Sequence, residues 1–591
     1  MAGGKIEGNP VVEAINALSI FGPRQAGAYR EHADEVRGVL GPDIETKVRE
    51  FVTGWAGGGL PGILILTGNA GTGKTALVEA YCETVGTARP TEDSLLEVKP
   101  EKFVVKDFSG MKRSQRERVI KLSREIRSGR STQLFVCANE GVLREALLES
   151  ADPELEELLD GALESGASRI DGGGVVVIVN MNRQRWTGEE MWDLLLDYFV
   201  REEHWKKCEA CASAGACPIQ ANAAGLRQPG PREAARRLTQ FASGGSVSTL
   251  RELLSILSYA ITGGLSCEEV GAQLQPFDAG HGYFNLFLGE GLSREQLERS
   301  PLIQEMRSAE LGSISDVEVD GWLRDPEWAP LEISALADPG EPTPHSTVNT
   351  LIGPLSFQEF GETISISDDP KKVEDCMHDY VDGRRILELW RRRVFFGAHG
   401  VLGGWQASFA RLTNQTAFGE LVDLASSLRQ GSDTNDARRS IILGLNYLTS
   451  GFGKFGGTLV VPDPGSLSAR NPGTFRRPEP SIVHSKVRVD RISLEAEDGP
   501  DLVEVLDTDD VRVLLKAKDQ LGAESRLLVT PRLFEMVLRS GRFRSPAGSD
   551  LPEISELLGF YATLSSAAVE GPLEIVDPSL GVIRPITLPT L

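Results

Sequence analysis

The residues best placed to do chemistry are Gly68, Asn69, Ala70, Gly71, Thr72, Gly73, Lys74 and Thr75, which follow the apolar run Ile63-Leu64-Ile65-Leu66 and lead into the helical stretch Ala76 to Val85. Glycines at this spacing let backbone N–H groups close around an anion, and the N-terminus of the following helix adds partial positive charge. The ammonium of Lys74 would reach the β- and γ-phosphates of ATP, and the Thr75 hydroxyl would ligate Mg²⁺. The bland reading is a glycine-rich strand-to-helix turn with no ligand. It leaves unexplained why Lys74-Thr75 stands where phosphate chemistry needs it.

Hydrolysis also needs an acid to hold Mg²⁺ or polarise the attacking water. Two predicted strands end in candidates: Phe103-Val-Val-Lys-Asp107 and Leu134-Phe-Val-Cys-Ala-Asn139-Glu140. A further strand inserted between the phosphate-loop strand and the acid-bearing strand requires roughly 25–30 residues with its crossover. Only the second candidate leaves that room in the chain. The expectation is therefore Glu140 as the water-polarising carboxylate, with Asn139 on the magnesium side. A neutral amide is a poor Mg²⁺ partner, so slow turnover is one consequence and Asp107 supplying the charge is the other. Glu140 acting only as a helix cap is the bland alternative. A third strand, Val175 to Val179, ends in Asn180-Met181-Asn182-Arg183, where Asn182, or less well Asn180, could orient water against the γ-phosphate. An ordinary turn asparagine reads the same way.

The order of these segments, followed by Ser248-Thr249-Leu250-Arg251-Glu252-Leu253-Leu254, resembles an AAA+ ATPase core with its helical lid. The resemblance implies an α/β fold: a P-loop parallel sheet with a helical lid. It also implies that Arg251 contacts the γ-phosphate and that the chain is a homo-oligomer with an arginine finger, for which Arg169 and Arg183 are weak candidates. A solvated helix arginine is the competing reading of Arg251.

His204, Cys208, Cys211 and Cys217 place four metal-ligand types within fourteen residues. Cys-x₂-Cys is the chelate turn of structural zinc sites, and four protein ligands would close a tetrahedron around Zn²⁺. A redox dithiol and three unrelated thiols are the alternatives.

The elements that must hold these groups follow from periodicity and breakers. Residues 11–57 read as helical, and four strand-length apolar runs alternating with helices predict a mostly parallel sheet covered on both faces. Residues 187–259 read as helical, interrupted by the cysteines and by Gln228-Pro229-Gly230-Pro231. The expected organisation is a helical segment over 1–57, an ATPase core over 58–200, a zinc-type insertion over 201–230 and a lid over 231–336. A proline-rich linker at 337–350, a helical domain with a basic cluster over 351–455, and a β-rich mixed α/β region over 456–591 complete it.

At 591 residues the chain needs several domains. Its net charge of −23 argues against coating nucleic acid non-specifically. Seven cysteines in this length do not make a disulfide scaffold. No apolar run approaches the ~20 residues of a membrane span, and Met1 to Glu7 lacks the apolar segment of a signal peptide. The expectation is a cytoplasmic protein that does not act on membranes.

The C-terminal half carries Gly282-Tyr283-Phe284-Asn285-Leu286-Phe287-Leu288, then Arg391-Arg392-Arg393-Val394-Phe395-Phe396, then Gly444-Leu445-Asn446-Tyr447. In this order, behind a phosphate loop and a Cys-x₂-Cys-x₅-Cys-Pro cluster, they resemble ATPases of bacterial anti-phage systems: the DptF ATPases of phosphorothioation-dependent DNA restriction and the large BREX-type ATPases. That likeness implies an ATP-driven component of antiviral defence working with separate nuclease or restriction subunits on DNA, contacted directly or through those partners. Arg391 to Arg393, with Arg384 and Arg385, could grip phosphates, or could form a salt-bridged helix face. An ATP-binding scaffold with little turnover, or a signalling switch, stands beside the ATPase reading.

Overall fold

A computed structural model describes residues 8–19, 21, 29–42, 44–58, 62–170, 175–245, 248–272, 279–324, 329–334, 336, 370–450, 457–463, 481–496, 505–507, 511–519, 522–543, 551–565, 574–577 and 582–586. The expected linker at 337–350 lies outside them. The chain divides into two compact units, one of residues 1–405 with 498–510, the other of 406–497 with 511–591. The long helix Pro370–Gly397, which carries Arg391 to Arg393, therefore belongs to the first unit rather than to a helical domain of its own.

The first unit is built on a six-stranded sheet. Its strands are β1 (Gly62–Thr67), β2 (Leu95–Lys99), β3 (Lys102–Val105), β4 (Gln133–Ala138), β5 (Ala167–Ile170) and β6 (Val175–Asn180). Their spatial order is β2-β3-β4-β1-β6-β5. β1 pairs in parallel with β4 on one side and β6 on the other, and β3 pairs in parallel with β4. The edge strands β2 and β5 are antiparallel to their neighbours.

Alternate residues of each central strand serve opposite layers, as the two-residue period of a strand demands. Ile63, Ile65, Leu134, Val136, Val176 and Ile178 face the helices Arg113–Arg127, Glu140–Ser150 and Pro153–Ser165. Leu64, Leu66, Phe135, Cys137, Val177 and Val179 face the helices Lys47–Gly58 and Lys74–Val85. Strands buried on both faces read as unbroken apolar runs, and each fully buried Leu, Ile or Val contributes about 1.5–3 kcal/mol.

Two further features define this unit. The helical run breaks between Leu226 and Pro229, and Pro229, Gly230 and Pro231 start the next helix, Pro229–Gly245, since proline is suited to a first helical turn. Residues 505–507 return to the sheet late in the chain: Val505 and Leu506 are buried in the layer that holds Val48 and Val52. Asp507 is pinned to the turn after β6. Its carbonyl accepts the Arg185 N–H at 2.8 Å, its carboxylate accepts from Gln184 Nε2 at 3.0 Å, and its own N–H donates to Gln184 Oε1 at 3.3 Å.

The second unit holds two antiparallel sheets. Strands β7 (Thr458–Pro462), β8 (Ser481–Arg488), β12 (Glu574–Asp577) and β13 (Val582–Pro585) form one, and β9 (Ile492–Ala496), β10 (Val513–Lys518) and β11 (Glu524–Val529) the other. Helices Asn435–Ser450 and Pro531–Phe543 cross so closely that a Cβ on Gly541 would meet the Gly444 Cα at 3.3 Å. These strands lie within residues 456–591, and the helix Leu551–Leu564 adds a second cover.

Candidate functional site

The glycine-rich loop leaves the C-terminal end of β1 and enters the helix Lys74–Val85. Gly68, Gly71 and Gly73 all have positive φ, at 141°, 89° and 93°. A side chain at any of them would be strained. At two of them it would also crowd a neighbour: a Cβ on Gly68 meets Met181 Cβ at 3.1 Å, and one on Gly71 meets Arg251 Cβ at 3.1 Å.

Lys74 Nζ lies over the loop, donating to the carbonyls of Gly68 at 2.6 Å and Asn69 at 2.7 Å and to Thr72 Oγ1 at 3.3 Å. Burial pulls its pKa below the usual lysine value, while Cys137 and the Asp107 carboxylate act in the opposite direction. Burial pushes the Cys137 thiol up to about 12, so it stays neutral. Asp107 is thus the acid that the Lys74 ammonium feels. Its Oδ1 accepts the Ser109 N–H at 2.9 Å, which fixes the turn after β3.

The strand order corrects the spacing argument for the acid. β4, which ends at Asn139-Glu140, lies directly beside β1, and it is the strand interposed between β1 and β3. The intervening strand comes later in the chain than the one it shields, so the premise of a strand inserted between β1 and the strand ending at Asn139-Glu140 does not hold, and it is the strand ending at Asp107 that has one. Asn139 caps the helix Glu140–Ser150, its Oδ1 accepting the Gly141 N–H at 3.1 Å, and its own N–H donates to Ser109 Oγ at 3.1 Å. Glu140 is the first residue of that helix.

On the other flank, Asn182 Oδ1 accepts the Asn69 N–H at 2.8 Å, and Asn180 Oδ1 accepts the Asn182 N–H at 3.1 Å. These two asparagines brace the loop. Arg251 opens the helix Leu250–Thr262, and its N–H donates to the Gly71 carbonyl at 3.1 Å. Its side chain is exposed. Five segments far apart in the chain, ending in Asp107, Asn139, Asn182, Arg251 and the loop itself, therefore converge on one end of the sheet. Of the two arginine-finger candidates, Arg183 donates to the Leu163 carbonyl at 3.2 Å and Arg169 sits exposed on the edge strand β5.

Arg391 to Arg393 are packed inside the unit, whereas Arg384 and Arg385 are exposed, Arg385 pairing with Glu290 at 2.6 Å. Arg391 is 5% exposed and pairs with both Asp320 oxygens at 2.7 and 2.9 Å, and with the Gly312 carbonyl. Arg392 bonds the Leu311 carbonyl, Asn285 and Glu388. Arg393 lies over the rings of Trp390 and Phe284. These arginines hold helices together, which is the salt-bridged alternative and not a phosphate grip.

Cys208, Cys211 and Cys217 line one cavity of about 40 Å³, and Cys267 joins them there. Cys208 lies on the helix Glu202–Glu209, Cys217 caps Pro218–Leu226, and Cys267 begins Cys267–Ala272. His204 is not in the lining: its Nδ1 lies 3.4 Å from the Phe199 carbonyl. Burial raises the Cys217 thiol, opposed by the backbone N–H groups of Gln220 and Ile219 and reinforced by Cys208 and Cys267. Among the described residues, no three His, Cys, Asp or Glu side chains are drawn together tightly enough for a single metal ion. None of the described helices is long and apolar enough to cross a membrane.

No family profile, no curated protein and no solved structure matches this chain.

Proposed function

We propose that the first unit binds ATP with Mg²⁺ and hydrolyses it, as an AAA+-like component of prokaryotic defence against foreign DNA that works through partner subunits. One observation carries the ATP reading: a loop of left-handed glycines with the Lys74 ammonium held over it, at the end of a central parallel strand. Backbone N–H groups in such a loop can turn toward an anion, and Lys74 can exchange carbonyl acceptors for phosphate oxygens. Thr75 and Asp107 are the residues that would hold Mg²⁺, which when bound screens the phosphate charge.

Asp107 takes the acidic role in this reading, because its strand is separated from β1 by one strand and its charge reaches Lys74. Asn139, at the tip of the adjacent strand, can orient a water or a γ-phosphate oxygen. Arg251 enters from the helix that touches Gly71 and supplies positive charge from the lid side. The defence assignment rests on the order of sequence segments described above.

ATP binding and turnover by the intact protein test the reading. Lys74→Ala is expected to lose nucleotide affinity, and Asp107→Asn to lose Mg²⁺-dependent turnover by about 10²-fold. Undiminished affinity in Lys74→Ala would sink the proposal. A second reading, an ATP-binding scaffold with little turnover, is favoured by the neutral Asn139 on the strand beside the loop; binding without measurable phosphate release would select it.

A further inference from the structure

We propose that Cys208, Cys211, Cys217 and Cys267 ligate a four-iron iron–sulfur cluster in the cavity that they line. Four thiolates are the ligand set of such clusters. Three come from one short stretch, Cys-x₂-Cys-x₅-Cys, and the fourth arrives from a helix that starts fifty residues later. Convergence of a distant cysteine on the same cavity is what separates a built site from a chance run of thiols.

The size of the space bears on what these cysteines hold. Zinc holds its sulfurs at about 2.3 Å, which draws four thiolates into contact around the ion. A cavity needs only about 10–15 Å³ to hold one water molecule, and the space among these cysteines is about 40 Å³. That room exceeds what one ion fills and leaves space for a larger inorganic group.

The surroundings are those that stabilise cluster-bound thiolates. Asn9 Nδ2 donates to Cys208 Sγ at 3.3 Å. The backbone N–H groups of Ile219 and Gln220 face the Cys217 sulfur, and that of Asn9 faces Cys267. Hydrogen bonds of this kind tune the potential and basicity of metal-bound sulfur. Trp205, Val12, Ile219 and Val270 supply the apolar wall that limits water. Asn9 also caps the first helix, Pro10–Leu18, and donates to the His204 carbonyl at 2.8 Å, so cluster loading would be tied to the docking of the N-terminal segment.

The experiment is anaerobic purification of the full-length protein, with iron, zinc and acid-labile sulfide measured per chain and the visible absorption recorded before and after dithionite. About four irons and four sulfides per chain, with a visible band that bleaches on reduction, are expected. Cys267→Ser should lose most of the iron, whereas His204→Ala should keep it. Stoichiometric zinc without sulfide, no bound metal at all, or full iron content in Cys267→Ser would each overturn the proposal. If Cys267→Ser is insoluble, the sulfide content of the wild-type protein decides alone.

Discussion

The N–H of Arg251 is bonded to the carbonyl of Gly71 at 3.1 Å, so the first turn of one helix is fastened to the middle of the glycine-rich loop. The hydrogen bond is made by backbone alone, and any change in loop conformation must break it or carry the helix Leu250–Thr262 along.

Gly71→Ala tests that fastening. Its φ of 89° disfavours any side chain, and the new Cβ would press on Arg251 Cβ and Thr249 Oγ1. A non-glycine residue in such a conformation costs about 1–3 kcal/mol. A lower melting temperature together with weakened ATP affinity is expected. Unchanged values of both would show that loop and helix are not coupled.

Asn182→Ala removes the acceptor for the Asn69 N–H. A hydrogen bond of this type contributes about 0.5–1.5 kcal/mol. Nucleotide affinity should fall several-fold, while Asn182→Asp, which keeps an acceptor oxygen, should lose less through geometry and reveal the effect of charge beside the phosphates. Calorimetric titration with ATP measures both.

Arg391→Ala leaves Asp320 without its two-pronged partner in a site where the two side chains are 6% and 17% exposed. Breaking a buried pair by removing one partner destabilises by about 3–5 kcal/mol. Thermal unfolding should shift down markedly. DNA binding, if the protein has any, should not change beyond what misfolding explains. A stable variant with selectively lost DNA affinity would reverse the assignment of this cluster.

His399 gives a pH dependence. Burial lowers its pKa to about 4 from the ordinary 6.5, with Glu233 and the Gly230 backbone opposing weakly. Above pH 6.5 the imidazole is neutral in both folded and unfolded chains. As pH falls from 6.5 towards 4, the unfolded chain takes up a proton that the folded protein resists, so stability is lost across that window. Melting temperatures from pH 7 to pH 4 should drop less for His399→Phe than for the wild type.

The readability of the sequence varied with burial and with distance along the chain. β1, β4 and β6 are covered on both faces and so announced themselves as Ile, Leu, Val and Phe runs. β2, Leu95–Lys99, and β5, Ala167–Ile170, are edge strands with polar residues and carried no comparable signal. The loop Gly68 to Thr75 was legible because its chemistry is local. Spacing along the chain misplaces the intervening strand between β1 and Asn139-Glu140 because sheet order is not chain order. Cys267 was missed because a single cysteine fifty residues from its partners has no spacing to read. Arg391 to Arg393 left a phosphate grip and a salt-bridged helix face both open, because Asp320, 71 residues away, is invisible to any local window.

Val505, Leu506 and Asp507 complete the wall of a sheet whose first strand begins at Gly62. A ribosome adding about 5–20 residues per second must therefore work for tens of seconds before that wall can close. Until then the apolar layer that Val505 and Leu506 share with Val48 and Val52 stays incomplete. Cutting the gene after residue 405 would make the interval permanent, and a fragment prepared that way reports on an incomplete protein.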